Sequence, residues 1–150
     1  MEIERLRAFL RKHRRVALDT SIFIYQLEDN PHYVGLTNHI FSWLERPAST
    51  AVTSTITMTE LLVQPYRAAD ERRINQFLAL LSTYPNLNWV APDLDVADLA
   101  AQIRAAHRFR TPDALQAATA IRARATGFIT NDPIFKRLAS LEVLLLDPLD

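Results

Sequence analysis

Apolar residues recur along this chain in two patterns, one typical of helices and one of buried strands. Ile3, Leu6, Phe9 and Leu10 fall on one helical face of residues 3–13, opposite basic side chains, which predicts an amphipathic helix. Short apolar or β-branched runs predict strands at 16–19, 50–53, 88–90, 128–130 and 143–146. Helical spacing predicts further helices at 20–27, from Asn30-Pro31 to Pro47, at 57–64, around 74–81 and 96–103, and at 111–125.

The order of these elements indicates the fold class. Strands alternate with helices along the whole chain, and the strands are continuously apolar, as strands covered on both faces are. We therefore expect an α/β fold, a three-layer α/β/α sandwich around a parallel sheet of four to five strands. A length of 150 residues suits one domain, so we expect a single domain over 1–150. Residues 1–14 would form a helical extension before its first strand.

Composition narrows the possible chemistry. The chain has no cysteine and two glycines, which excludes disulfides, cysteine nucleophiles, thiolate metal sites and glycine-rich phosphate loops. Any metal must then be held by oxygen or imidazole ligands, and the four histidines show no ligand spacing on one helix face. Formal net charge is zero, although Arg greatly outnumbers Lys, and Arg suits phosphate contacts.

The chain carries no sign of a membrane or export segment. No run of roughly 18 apolar residues occurs, and the basic residues near the amino terminus are not followed by the apolar stretch of a secretory signal. We expect a cytoplasmic protein without a membrane contact.

Four carboxylates fall where the carboxyl ends of the predicted strands meet. Asp19 ends the first strand, Asp132 follows the fourth, and Glu60 and Asp113 are predicted in the first turns of two helices. Ligand sites of such sheets lie at this edge. Four adjacent carboxylates repel one another, and a hard cation such as Mg²⁺ or Mn²⁺ relieves the repulsion. Such a cation activates water for attack on a phosphodiester.

Each carboxylate also has a structural explanation that needs no function. Asp19 could cap the helix that follows it, and Glu60 would complete a capping box with Thr57. Asp113 suits the positive end of a helix dipole, and Asp132 precedes a proline, as turn and cap residues do. The four together are what favour a metal site.

Four segments carry a resemblance to a known family. They are similar, in order, to the four motifs of PIN-domain ribonucleases, and most of all to those of VapC-like toxins of bacterial toxin–antitoxin pairs. The segments are 16–24 (VALDTSIFI), 55–62 (TITMTELL), 112–120 (PDALQAATA) and 129–135 (ITNDPIF).

This resemblance covers about residues 15–147 and implies an activity. It implies a Mg²⁺- or Mn²⁺-dependent endoribonuclease of the type II toxin class, with RNA as substrate. It implies further that Thr20 and Thr130 orient ligands or waters. The catalytic and metal-binding quartet would be Asp19, Glu60, Asp113 and Asp132.

The amino-terminal helix departs from this family pattern. Such toxins usually begin almost at the first strand, whereas about 14 residues precede it here. The basic helix could contact RNA, pack on the body of the domain, mark another branch of the family, or be a solvated amphipathic helix. The sequence does not choose among these four roles.

Two surfaces are candidates for partners. Arg104, Arg108 and Arg110 lie just before Asp113 and either hold RNA phosphates or simply suit an exposed helix end. The apolar faces of 33–44 and 74–81 exceed what a small core needs, which suggests a homodimer or a groove for a partner. In the similar family such a groove receives an antitoxin.

Rival functions are partly excluded. An aspartyl phosphatase needs a second Asp two residues after Asp19, where Ser21 stands. A receiver domain needs an early acidic pair and a late Lys on the sheet edge, and neither occurs. Two alternatives remain: a PIN-type RNA-processing nuclease that is not a toxin, and a non-catalytic module that binds a metal or a partner.

Overall fold

A five-stranded parallel sheet forms the centre of the molecule. The computed structural model describes residues 2–147, so residues 1 and 148–150 of the expected domain lie outside it. The spatial order of the strands is β3-β2-β1-β4-β5, and every neighbouring pair is parallel. The strands are β1 (Arg15–Leu18), β2 (Thr50–Ser54), β3 (Leu87–Val90), β4 (Gly127–Thr130) and β5 (Glu142–Leu145).

Helices precede or follow every strand. They are α1 (Glu2–Lys12), α2 (Thr20–Leu27), α3 (Val34–Leu44), α4 (Thr55–Arg67), α5 (Glu71–Thr83), α6 (Leu94–His107), α7 (Thr111–Arg122) and a 3₁₀ helix (Pro133–Arg137). None of the helices within 2–147 is long and apolar enough to cross a membrane.

Side chains alternate between the two faces of the sheet and so build two cores. Val16 and Leu18 of β1 pack with α1, α2 and α3, whereas Ala17 packs with α6 and α7. The second core is rich in alanine, which lets α7 approach the sheet closely. The predicted three-layer α/β/α sandwich around a parallel sheet is confirmed.

Helix α1 packs on the body of the domain. Its residues Leu6, Phe9 and Leu10 are buried in the first core. Phe9 lies directly over β4, where a Cβ on Gly127 would stand 2.6 Å from the Phe9 Cζ atom. A glycine at this position therefore permits the close approach of α1 to the sheet.

Two predicted helix starts are wrong, the first of them at α4. Helix α4 begins at Thr55, where Ser54 caps it by accepting a hydrogen bond from the Ile56 N–H. Thr57 is therefore inside the helix, the predicted capping box with Glu60 does not form, and Glu60 lies in the second turn rather than the first. Pro65 lies within α4, which continues to Arg67.

The start of α3 is wrong in the other direction, because it is later than predicted. Asn30 does not cap a helix at Pro31; its side chain accepts from the His32 N–H at 3.0 Å and closes a turn. The helix begins only at Val34.

Candidate functional site

Asp19 occupies the carboxyl end of the central strand β1. Its carboxylate caps α2, because Oδ1 accepts from the Thr20 N–H at 2.8 Å. Its other oxygen, Oδ2, accepts from the Thr130 hydroxyl at 2.7 Å. Thr130 ends the neighbouring strand β4 and is fully buried. The structural explanation of Asp19 as a cap is thus correct, and it leaves the carboxylate fixed at the sheet edge.

The charge of Asp19 is disfavoured by its surroundings. Burial raises the pKa of Asp19 from 3.8 to about 6, although the hydrogen bonds from Thr130 and Thr20 lower it. The negative charges of Asp113 and Glu60 raise this pKa further. Three carboxylates from three separate elements therefore act on one another, as expected for a site that binds a cation.

Glu60 and Asp113 reach the site from helices on opposite faces. Glu60 of α4 is exposed, and its Oε1 accepts from the Thr20 hydroxyl at 2.9 Å. Asp113 lies in the first turn of α7, as predicted, with only 15% of its side chain exposed. Its Oδ2 lies 3.3 Å from the Nε of Arg110, a side chain that is 79% exposed.

Asp132 is connected to the site through Thr130. The Asp132 N–H donates to the Thr130 hydroxyl at 3.0 Å, and the Asp132 Oδ1 caps the 3₁₀ helix by accepting from the Ile134 N–H. Thr130 thus holds both Asp19 and the Asp132 backbone. The Asp132 carboxylate acts as a helix cap, in agreement with its structural explanation.

The carboxylate oxygens of the candidate site suit a hard cation, but the carboxylates do not form one tight cluster. Within residues 2–147, no three carboxylate or imidazole side chains stand close enough together to hold a metal ion. Mg²⁺ commonly binds through one or two carboxylates and keeps several waters. Asp19 and Asp113, two partly buried carboxylates that repel one another, fit that requirement.

A buried polar network lies beneath the carboxylates, and the sequence pattern did not predict it. The Gln116 side-chain amide of α7 donates to the Thr57 hydroxyl at 2.7 Å and to the Thr20 hydroxyl at 3.3 Å. The hydroxyls of Thr57 and Thr53 lie 2.8 Å apart, and Thr53 donates to the Leu18 carbonyl. A lone glutamine on the alanine face of 114–120, one turn after Asp113, was the available signal.

The sequence pattern also did not predict an aromatic pair close to Asp19. The rings of Tyr25 and Tyr33 stack in parallel with centroids 3.9 Å apart, and the Asn131 amide donates to the Tyr25 hydroxyl. Burial, Tyr33 and the nearby charge of Asp19 raise the pKa of Tyr25 to about 12, so its phenol stays protonated.

The three candidate RNA-binding arginines have different surroundings. The Nε of Arg104 donates to the Phe109 carbonyl at 2.9 Å, which holds the loop between α6 and α7. Arg108 has a left-handed backbone, with φ 57°, and ends α6. Only Arg110 contacts a carboxylate of the candidate site.

Comparisons with known proteins agree with this architecture. A family model described as PIN domain matches residues 16–141. The structure of VapBC-1 from nontypeable Haemophilus influenzae matches with a TM-score of 0.69 and 21% identity, over 88% of this chain and 98% of that chain. VapBC2 from Rickettsia felis, bound to a promoter DNA fragment, matches with a TM-score of 0.68 and 19% identity, over 89% and 99%.

A third structure has higher sequence identity. VapBC-5 from Mycobacterium tuberculosis is 28% identical, with a TM-score of 0.57, over 88% of this chain and 98% of that chain. No curated protein matches the chain in sequence. At these identities the structural matches establish the fold.

Proposed function

The chain belongs to the PIN domain family, as its four sequence segments predict, and we propose that it is a metal-dependent endoribonuclease. It would hydrolyse RNA phosphodiesters as the toxin of a type II toxin–antitoxin pair. One observation carries the proposal: hydrogen bonds from Thr20 and Thr130 fix Asp19 at the end of β1, where burial and the nearby charges of Asp113 and Glu60 raise its pKa to about 6. Carboxylates held together at this cost are typical of functional sites.

The proposed cofactor is Mg²⁺ or Mn²⁺. Oxygen ligands select these cations, and the chain has no thiolate to compete for a softer metal. Asp19 and Asp113 would bind the ion directly, and Glu60 and Asp132 would bind directly or through water. A bound cation would stabilise charge on the attacked phosphate and promote ionisation of the attacking water.

The neighbouring side chains would hold these ligands in place. The Thr130 hydroxyl keeps one Asp19 oxygen occupied and so sets the direction of the carboxylate. The Thr20 hydroxyl does the same for Glu60. Arg110, beside Asp113 and largely exposed, would contact the RNA phosphates. Attack by water predicts products with a 5′-phosphate and a 3′-hydroxyl.

The proposed partner is an antitoxin protein. The similar solved structures are named as VapBC complexes from three bacteria, which supports a partner of this class. Apolar side chains that remain exposed on α4 and α5 offer contact surface, among them Val63, Tyr66, Leu78 and Leu80. We propose that these surfaces serve an antitoxin and a second copy of the chain.

Cleavage of total cellular RNA by the purified protein tests the activity. We expect cutting with Mg²⁺ or Mn²⁺, none with chelator, and none in Asp113→Asn. Asp98→Asn is the matched control, since Asp98 lies on α6 and its side chain accepts a hydrogen bond from the exposed Gln102. Products with a 2′,3′-cyclic phosphate would contradict the proposal, because they arise from attack by the ribose hydroxyl.

Expression in cells tests the toxin assignment separately. We expect growth arrest without a partner, and rescue by co-expression of the protein's cognate antitoxin. An active nuclease that leaves growth unchanged would instead support an RNA-processing enzyme. A folded, partner-free protein that never cuts RNA would support a non-catalytic module.

A further inference from the structure

A second site of opposite charge lies between α1 and α3. These helices enclose a cavity of about 260 Å³. We call it the arginine pocket. Its lining residues are Arg7, Leu10, Arg11, His39, Trp43 and Arg46.

The arginine pocket concentrates positive charge. Arg7 and Arg11 stand one turn apart on α1, and Arg46 follows the end of α3. No aspartate or glutamate among the residues that the structure describes lines the cavity. Among residues 2–147, Arg7 makes one ion pair, with Glu4 at 3.3 Å, and the two side chains are 48% and 68% exposed. An exposed ion pair of this kind contributes little stability, so a bound anion could replace Glu4 as the partner of Arg7.

The pKa of His39 reflects this positive charge. Burial, then the charge of Arg7, then that of Arg46, hold the pKa of His39 below its usual value. The two helices thus bring like charges together around one opening. A bound anion would relieve this repulsion.

The shape of the arginine pocket suits phosphate. Leu10 and Trp43 are buried and form the apolar part of its lining. Guanidinium groups bind phosphate oxygens through paired hydrogen bonds, which a point charge cannot do. Arg7 and Arg11 would approach a phosphate from α1, and Arg46 from the turn that follows α3.

The arginine pocket is separate from the acidic residues. Helix α1 leads into the amino end of β1 and α3 leads towards the amino end of β2, whereas the acidic residues lie at the carboxyl ends. Strands of this length span about 15 Å. A ligand that reached both places would have to be an extended chain.

We propose that the arginine pocket binds a backbone phosphate of a single-stranded nucleic acid and holds that strand away from the acidic residues. The expectation that the strand is RNA rests on the proposed function; the phosphate contact itself does not. An acidic peptide is the competing ligand, and the paired hydrogen bonds that a guanidinium makes to one phosphate favour phosphate over carboxylates on flexible side chains.

Binding to an RNA of about 20 nucleotides tests the proposal, measured by fluorescence anisotropy between about 50 and 200 mM salt. All proteins carry Asp113→Asn, so that the RNA stays intact. The test variant is Arg11→Gln with Arg46→Gln, and the matched control is Arg72→Gln with Arg124→Gln, two exposed positions elsewhere. Thermal unfolding verifies that both variants fold.

We expect the test variant to lose about tenfold in affinity, and its slope of log affinity against log salt to fall by about 0.7, the value for one phosphate contact on a single strand. The control pair should change both quantities far less. Equal effects of the two pairs would overturn the proposal, since only general charge would then matter. Equal binding of DNA of the same sequence would support a phosphate contact that ignores the sugar.

The NMR titration of His39 gives a second readout. RNA should raise the pKa of His39 in the parent protein, because a phosphate offsets the arginine charges, and should not raise it in the test variant. An effect of inorganic phosphate without any effect of RNA would overturn the nucleic-acid assignment. A polyglutamate peptide that binds more tightly than RNA would do the same.

Failure of this inference and failure of the proposed function give different results. Binding through the arginine pocket without any cleavage by protein with intact acidic residues would refute the nuclease alone. Cleavage with unchanged binding in the test variant would refute the arginine pocket alone.

Discussion

The Thr130 hydroxyl donates to the Asp19 carboxylate at 2.7 Å and so connects the carboxyl ends of two neighbouring strands. The same hydroxyl accepts from the Asp132 N–H. One buried threonine therefore positions two of the four proposed catalytic residues.

Removing this hydroxyl should raise the pKa of Asp19. The Thr130 hydrogen bond lowers that pKa, so in Thr130→Val it should rise above its present value of about 6. A carbon-13 NMR titration of the metal-free protein measures it, with Thr130→Ser as the control that keeps the hydroxyl. An unchanged pKa in Thr130→Val would contradict the hydrogen bond. In the active enzyme, the acidic limb of the rate profile should move to higher pH.

Asp19→Asn should stabilise the folded chain at neutral pH. Because the pKa of Asp19 is raised from 3.8 to about 6 on folding, the folded state binds the proton more tightly than the unfolded state. Its contribution is therefore favourable below about pH 4 and is lost as the pH rises through 6. We expect a gain of about 1–3 kcal/mol at pH 7, allowing for partial exposure. Urea denaturation measures this gain in the free energy of unfolding. A gain of the same size at pH 4 would show that the raised pKa of Asp19 is not its cause.

Divalent cations should stabilise the native protein and not Asp19→Asn. A ligand that binds only the folded state at about 100 times its Kd raises stability by about 2.7 kcal/mol. The melting temperature with and without Mg²⁺ measures this gain, with Asp98→Asn as the control. Equal stabilisation of Asp19→Asn would place the bound cation elsewhere.

Gln116→Leu should destabilise the protein through its hydroxyl partners. The amide of this buried residue donates to the hydroxyls of Thr57 and Thr20, which would lose a partner in an apolar setting. We expect a loss of about 1–3 kcal/mol in the free energy of unfolding. Gln102→Leu, at an exposed position on α6, should change stability by less than about 0.5 kcal/mol. Equal effects would show that the network contributes nothing.

Gly127→Ala should strain the contact with α1. The added Cβ would lie 2.6 Å from Phe9 Cζ and 3.0 Å from His13 Cγ, so one of these rings must move. We expect a loss of about 1–3 kcal/mol, as for other overpacked cores. Phe9→Leu in the same chain should recover part of it, which a double-mutant cycle measures. Strictly additive effects would refute the clash.

Arg7→Gln should raise the pKa of His39. The positive charge of Arg7 is one of the causes that lower this pKa, and its removal makes protonation easier. An NMR titration measures the shift, and Arg72→Gln should leave His39 unaffected. A downward shift would contradict the arrangement of the arginine pocket.

Local sequence patterns were sufficient to predict the helices and strands, and to predict which edge of the sheet carries the acidic residues. A buried parallel strand needs a short apolar run, and a helix needs apolar residues at helical spacing; both signals lie within a few neighbouring residues. Asp19 comes directly after one such strand and Asp132 two residues after another, so their position at the carboxyl edge followed from the chain itself.

The tertiary structure decided which polar groups became partners. Thr57 forms no capping box because Ser54 caps α4 first and because Thr20 and Gln116, distant in sequence, bind the Thr57 hydroxyl. The arginine pocket depends likewise on two helices that the sequence order does not place side by side. Hydrogen bonds and electrostatic repulsion act between groups close in space, and sequence spacing alone does not encode which groups those will be.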